Sequence, residues 1–430
     1  MSDLKIRFDM KNSFGTKFIF KNQIYTMLGS ILPICLLITI SCTLKLENHE
    51  EKSKNRKINA PKNNSLTILG NQRTKEYIPL LTNKNVAIVA NQTSLINNTH
   101  IVDSLLSLKI QLKKVFAPEH GFRGTSDNGA HISNSIDPKT KLPIISLYGK
   151  NKKPRNEQLD GIDVLIFDIQ DVGARFYTYL STLHYVMEAA AENDIHVIVL
   201  DRPNPNAHYI DGPVMQENCK SFVGLHPVPI VYGMTIGEYA LMINGEKWLK
   251  NKITCNLTVI DCKNYWHSSE YILPVAPSPN LQSKEAIALY PSLCLFEGTT
   301  ISVGRGTKRP FEIIGHPLYI ENDFSFTPEP TKGSSNPPFK NKKCYGIDIK
   351  ISTKFPVYEI NLKHLINSYK ALTNKTSYFN KNLFFDKLSG NKKLREQIIN
   401  GKSEEEIKKS WEEDLNNFKK IRSKYLLYDE

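Results

Sequence analysis

An α/β fold with a parallel sheet at its centre is what this sequence predicts, on three observations. Four short apolar runs are continuous rather than alternating, as in strands buried on both faces. Helical stretches lie between them. Each run ends abruptly in polar or ionisable residues, which is where open parallel sheets place their ligands.

The elements follow in order. Residues 1–26 are polar and net positive, with Lys5, Arg7, Lys11, Lys17 and Lys21 against Asp3 and Asp9. The apolar stretch Met27 to Ser41 is too short for a comfortable membrane span and ends at Cys42. The pattern predicts a lipoprotein-type signal peptide over 1–41, although Thr39 stands where leucine is usual. A plain signal peptide or anchor is the other reading, and both predict export. Cys42 is the expected lipidation site, and residues 42–65 form a polar tether with almost no large apolar side chain.

The runs "VAIVA" (86–90), "KVFA" (114–117), "DVLIF" (163–167) and "HVIVL" (196–200) are the predicted strands. "HIVDSLLSLKIQ" and "TYLSTLHYVMEAAAEND" are the predicted helices between the first and last pairs. The second places Leu180, Leu183, Val186 and Met187 on one face. Strand, helix, strand in repetition gives a Rossmann-like layered domain over 66–265, without a GxGxxG fingerprint for a dinucleotide. A further helix starts at Thr235, with Glu238 completing a capping box. From about Trp266 the chain turns Pro-rich and irregular, and 266–430 is read as a second domain. Ser403 and Glu406 form another capping box, and Ile407, Trp411, Leu415, Phe418 and Ile421 predict one terminal helix that docks the second domain.

Composition narrows the function classes. The 430 residues carry a formal net charge of +13, mostly as scattered lysines. A basic surface suits nucleic acid, anionic lipid or an acidic wall polymer. No dense Arg/Lys block with interleaved aromatics is present, so nucleic acid is not the expected partner. Cys219, Cys255, Cys262, Cys294 and Cys344 remain beyond Cys42, in no CxxC or His/Cys cluster. In "CNLTVIDC", Cys255 and Cys262 fall on opposite faces if the segment is one strand, so no disulfide framework is expected. No metal and no cofactor is expected either.

The strand exits carry the candidate chemistry. The first exits into Asn91, Gln92, Thr93 and Ser94, and the second into Glu119 and His120 within "VFAPEHGFRG". The third exits into Asp168, Gln170 and Asp171, followed by Arg175, Tyr177 and Tyr179. The fourth exits into Asp201, Arg202 and Asn204, with Asp211 beyond. Each has a structural reading too: Asp168 and Asp171 can cap a helix, His120 can be a bonded structural imidazole, and "DRPNP" can be a rigid turn. Glu119 has no helix to cap between Pro118 and Gly121, which leaves catalysis or a loop-fixing salt bridge with Arg123. Neither GxSxG nor HExxH occurs. A carboxylic acid among Asp, Arg, Asn and Tyr suits glycoside hydrolysis, with Phe176, Tyr177 and Tyr179 available to stack on a sugar.

Several blocks then carry a resemblance: "VFAPEHGFRG", "DGIDVLIFDIQDVGARFYTYLSTLHYVMEAAAEN", "VIVLDRPNP", "DGPV", "YGMTIGEYALMINGE" and "PSLCLFEGTTISVGRGTKRPFEIIGHP". With "KCYGIDI" and "FKKIRSKYLLY", the chain from about residue 74 onward resembles the NamZ-type exo-β-N-acetylmuramidases, which release N-acetylmuramic acid from the non-reducing end of peptidoglycan fragments. The resemblance implies a Rossmann-like domain followed by a smaller α+β domain, with the active site in the cleft between them. It makes Glu119 the acid, supported by His120, with Asp168 and Asp171 as further catalytic candidates. Asn91, Gln170, Arg175, Tyr177, Arg202, Asn204 and Arg305 become candidates for substrate binding. Muramic acid has a lactyl carboxylate, for which Arg175, Arg202 and Arg305 are equal candidates at this stage. Gln92 departs from the family's histidine. The substrate's acetamido group or a second carboxylate could complete the mechanism. The expected partners are wall-derived sugars and, through lipid on Cys42, a membrane; the expected place is the periplasm or outer membrane. A non-catalytic muropeptide-binding lipoprotein and a wall-sugar esterase or deacetylase are the competing readings.

Overall fold

The structure is a computed structural model, which describes residues 66–122, 134–319, 323–372 and 377–430. The predicted signal segment, Cys42, the tether and Arg123 lie outside the described residues.

Twelve strands occur among the described residues. They are β1 (Asn85–Ala90), β2 (Leu95–Ile96), β3 (Thr99–His100), β4 (Gln111–Ala117), β5 (Ser135–Ile136), β6 (Pro143–Ser146), β7 (Val164–Asp168), β8 (His196–Leu200), β9 (Leu257–Ile260), β10 (Ile313–His316), β11 (Ser325–Phe326) and β12 (Cys344–Asp348). The central sheet runs β5-β6-β4-β1-β7-β8-β9. All its pairings are parallel except that of β5 with β6. Taking the six parallel strands in chain order, the spatial order is 3-2-1-4-5-6, that of the doubly wound nucleotide-binding folds. The order reverses between β1 and β7, so the crevice of such a sheet opens beside their carboxyl ends.

Side-chain alternation sorts the sheet into two faces. Val86, Ile88, Ala90, Val115, Ala117, Ile166 and Ile198 join one buried cluster with Tyr77 and Leu81 of α1 (Thr74–Leu81) and Ile101, Val102 and Leu105 of α2 (Ile101–Ser107). Ala87, Val89, Phe116, Leu165, Phe167, Val197 and Val199 join a larger one on the opposite face. There they meet α4 (Tyr179–Glu192), which follows the short α3 (Asn156–Leu159) in the chain, together with α5 (Ile236–Gly245) and the C-terminal region. Each fully buried Val, Leu or Ile side chain contributes about 1.5–3 kcal/mol. α4 packs against β8 and α5, and its predicted stripe of Leu180, Leu183, Val186 and Met187 is buried, as are Ser181 and Thr182 on its flank.

The region after α5 contains α6 (Lys284–Leu293), the antiparallel sheet β10-β12-β11 and further short helices. The described residues all fall within one compact unit, and the two regions share a core. Thr235 and Ser403 both make the predicted capping boxes. The single terminal helix is corrected to two, Glu404–Lys409 and Glu412–Arg422. The break falls where Trp411, at φ −116 and ψ 1, leaves helical geometry and is buried in the core. The chain end then docks on the first region: Arg422 donates from Nε and Nη2 to the Gly233 carbonyl at 2.8 and 2.6 Å, and Tyr428 donates to Asp201 at 2.6 Å. In "CNLTVIDC" only Leu257–Ile260 is strand, and the two cysteines flank it, buried and unbridged.

Candidate active site

The opening residues of each exit loop set the geometry. At Pro118–Gly121 the chain turns sharply, closed by a hydrogen bond from the Gly121 N–H to the Pro118 carbonyl at 3.0 Å. His120 and Gly121 both have left-handed backbone, at φ 70 and φ 75. Glycine adopts that conformation freely, whereas at His120 it costs on the order of 1–3 kcal/mol, a strain typical of functional turns. The turn keeps Glu119 and His120 at the end of β4 and lines a cavity of ≈ 420 Å³ with them.

That cavity lies between the two regions. Tyr148 and Lys152 after β6, Tyr177 and Thr178 after β7, and Phe222 after β8 line it from the first region. Asn280, Tyr290, Glu297, Arg305 and Phe311 line it from the second. Thr178 donates to Glu119 Oε2 at 2.8 Å, and the Tyr148 hydroxyl hydrogen-bonds the same carboxyl. Burial, followed by the adjacent Glu119 charge, pushes the Tyr148 phenol above its ordinary pKa, so it remains a donor. Tyr177 and Tyr179 meet edge to face at 4.8 Å, and Tyr177 meets Tyr290 likewise at 5.9 Å.

Among the predicted residues, Glu119, His120, Phe176, Tyr177 and Arg305 line the cavity; the other described ones do not. Asn91 is a scaffold: its Oδ1 accepts from the Thr93 N–H at 2.9 Å and its Nδ2 donates to the Tyr179 hydroxyl at 3.0 Å. Gln170 donates from Nε2 to the carbonyls of Asp171 and Pro203, both at 2.8 Å. Asn204 donates to the Met234 carbonyl at 2.8 Å. Gln92, where the family resemblance leads one to expect histidine, donates to the carbonyls of Ala276 and Pro277 at 3.2 and 3.0 Å. With Tyr177 donating to the same Pro277 carbonyl at 2.9 Å, it straps the loop before α6 across the strand exits.

The three arginines separate by position. Arg175 is buried and donates to the carbonyls of Pro213, Val228 and Leu388 at 2.7–2.9 Å, joining the two regions. Burial lowers its pKa to about 10, which still leaves it charged at neutral pH. Arg202 is buried outside the cavity lining and donates from Nε to Asp168 Oδ1 at 2.6 Å, with its Nη2 buried and without a hydrogen-bond partner among the described residues. Asn71 holds the other oxygen of Asp168 at 3.1 Å. Arg305 pairs with Glu297 at 2.5 Å, lies over the Phe311 ring at 5.0 Å, and keeps a buried Nη1 without a hydrogen-bond partner among the described residues.

Asp171 is wholly enclosed. Tyr232 and the Gly173 N–H donate to its Oδ2, while Oδ1 is buried without a hydrogen-bond partner among the described residues. Burial raises its pKa to about 6, opposed by those hydrogen bonds. Gly173, at φ 76, packs against the Asn204 amide so closely that an added Cβ would lie 2.1 Å from its Oδ1. Sequence reasoning gave no role to Tyr148, Thr178, Lys152, Phe222, Tyr290 or Glu297. Glu297 stands eight residues before Arg305 and Thr178 stands between Tyr177 and Tyr179, both in blocks already singled out; the other four carry no local signal. Among the described residues, no group of three or more His, Cys, Asp or Glu side chains is placed to hold a metal ion.

A buried carboxyl with two hydroxyl partners, aromatic walls and an ion pair, set at the carboxyl ends of a doubly wound sheet, define a carbohydrate-acting hydrolase. The sequence profile of the N-terminal part of exo-β-N-acetylmuramidase NamZ matches residues 86–285, and that of its C-terminal part matches 288–428. The chain therefore belongs to the NamZ exo-β-N-acetylmuramidase family. It is 40% identical over 375 residues to the peptidoglycan β-N-acetylmuramidase NamZ of Bacillus subtilis (strain 168), covering 82% of this chain and 89% of that one. Two crystal structures of DUF1343 family proteins from Bacteroides fragilis are similar. One has 45% identity and a TM-score of 0.78, covering 85% of this chain and all of that one. The other has 30% identity and a TM-score of 0.74, covering 84% of this chain and 99% of that one.

Proposed function

We propose that this protein is an exo-acting β-N-acetylmuramidase that removes terminal, non-reducing N-acetylmuramic acid from peptidoglycan fragments such as MurNAc-GlcNAc. The observation that carries the reading is Glu119 in the cavity, held by Thr178 and Tyr148. In its protonated form it is the acid that delivers a proton to the glycosidic oxygen as the C1–O bond breaks. Among the described residues the other glutamate or aspartate lining the cavity is Glu297, already engaged by Arg305. This favours attack on C1 by the substrate's acetamido oxygen, followed by water that Glu119, now a base, activates. His120 supports the turn that aims the acid. Asp168, Asp171, Arg175, Arg202, Asn91, Gln170 and Asn204 build the frame around the site.

Arg305 is the arginine for the lactyl carboxylate, because of the three candidate arginines it is the one that lines the cavity. A free carboxylate there requires a muramic acid without its peptide stem. The chain is exported and anchored by lipid on Cys42 in the periplasm or outer membrane; loss of palmitate labelling in Cys42→Ser is the expected result.

The test is release of N-acetylmuramic acid from MurNAc-GlcNAc by the purified protein and by Glu119→Gln. Turnover in the parent and a loss of about a thousandfold in the variant is expected. Binding without turnover in the parent would make the protein a muropeptide receptor. Equal turnover in both would move the acid elsewhere.

A further inference from the structure

The cavity has two unlike ends. Phe176, Tyr177, Tyr290 and Phe311 at one end are buried. At the other, Tyr148, Lys152, Phe222 and Val223 are half-exposed and Gly149 is exposed. Glu119 joins them, since its carboxyl is bonded to Tyr148. An acid that protonates a glycosidic oxygen stands between two groups: the sugar being released and whatever is attached through that oxygen. If the terminal sugar fills the closed end, as the proposed exo activity requires, the leaving group lies against the open one.

We infer that Tyr148, Lys152 and Phe222 form the subsite for the leaving sugar, an N-acetylhexosamine, and set the preference for a glycan over a small aglycone. This rests on the muramidase reading above. The Phe222 ring is built in rather than loose. Its carbonyl accepts from Ser181 Oγ at 2.7 Å, Tyr185 stacks on the ring at 6.3 Å and 14°, and Tyr148 lies 6.2 Å away. Lys152 Nζ lies 4.5 Å from the ring centroid. The neighbouring Lys153 is spent on Glu188 and Glu192 at 2.7 and 2.6 Å, whereas Lys152 has no carboxylate partner among the described residues. An aromatic edge carrying an ammonium that no described carboxylate neutralises matches a pyranose, whose C–H surface packs on rings and whose hydroxyl and acetamido oxygens accept from a cation.

The experiment compares kcat/KM for MurNAc-GlcNAc and methyl β-MurNAc in the parent, Phe222→Ala, Lys152→Gln and Phe222→Tyr. The two substrates share everything in the closed end and differ only in the leaving group. The expected result is a fall of about tenfold in the disaccharide-to-methyl ratio for Phe222→Ala and a smaller fall for Lys152→Gln. Phe222→Tyr restores the parent ratio. An unchanged ratio, or parallel loss on both substrates, overturns the subsite. Failure of the parent to hydrolyse either substrate overturns the muramidase reading and the subsite with it.

Discussion

Asp168–Arg202 and Glu297–Arg305 are the same pair of side-chain types in two settings. Each is joined through the arginine Nε, at 2.6 and 2.5 Å, and each arginine keeps one buried nitrogen without a partner among the described residues, Nη2 in Arg202 and Nη1 in Arg305. The first pair lies under the switch point of the sheet, with both side chains 3% exposed or less and Asn71 closing it off. The second lies in the cavity wall, with its side chains 12% and 21% exposed. What they can do follows from position rather than chemistry. An enclosed pair holds loops together, and the same pair beside a cavity can trade part of its bonding for a ligand.

Removing one partner from each pair separates these tasks. Asp168→Ala leaves the Arg202 guanidinium buried and unpaired and is expected to cost about 3–5 kcal/mol, read as a lower urea midpoint. The folded fraction should still prefer MurNAc over GlcNAc glycosides. A stable Asp168→Ala that has lost that preference would erase the distinction between the pairs. Arg305→Gln should do the opposite, with roughly a 10–150-fold loss of kcat/KM on MurNAc glycosides, the equivalent of one charged hydrogen bond. GlcNAc glycosides, which lack the lactyl carboxylate, should show a much smaller loss.

The smallest effect concerns pH. Asp171 has its pKa raised by burial to about 6 from 3.8, and Asp201 is raised likewise. Between those values the native state holds protons that the unfolded chain has released, so stability is greatest below the lower value and falls as pH rises through the upper. Asp171→Asn, which can still accept from Tyr232 and Gly173, should flatten that decline in denaturant midpoints measured from pH 4 to pH 7. An unaltered decline would assign it to Asp201 and other groups.

Much of the frame was legible because its causes are local. β8 coincides with the apolar run 196–200, and the capping boxes at Thr235 and Ser403 need only four consecutive residues. Glu119 stood out for a similar reason, as a carboxylate placed where no helix begins. The cavity as a whole was not legible. Tyr290, Glu297 and Arg305 reach it from positions more than 160 residues beyond Glu119, and only packing of the second region on the sheet brings them there. Nor does a sequence distinguish Arg175, Arg202 and Arg305: all three are charged side chains in Gly- or Pro-bearing loops. Burial made the first a bracket for carbonyls and the second a partner for Asp168. The break at Trp411 was missed because its apolar spacing continues evenly across it.

The most direct test is a crystal structure of the Glu119→Gln variant with MurNAc-GlcNAc bound. The account predicts the lactyl carboxylate on the Arg305 guanidinium, the glycosidic oxygen against the amide at position 119, and the second sugar beside Phe222. A disaccharide in the cavity with its carboxylate on any other group, or with its glycosidic oxygen away from position 119, would contradict it.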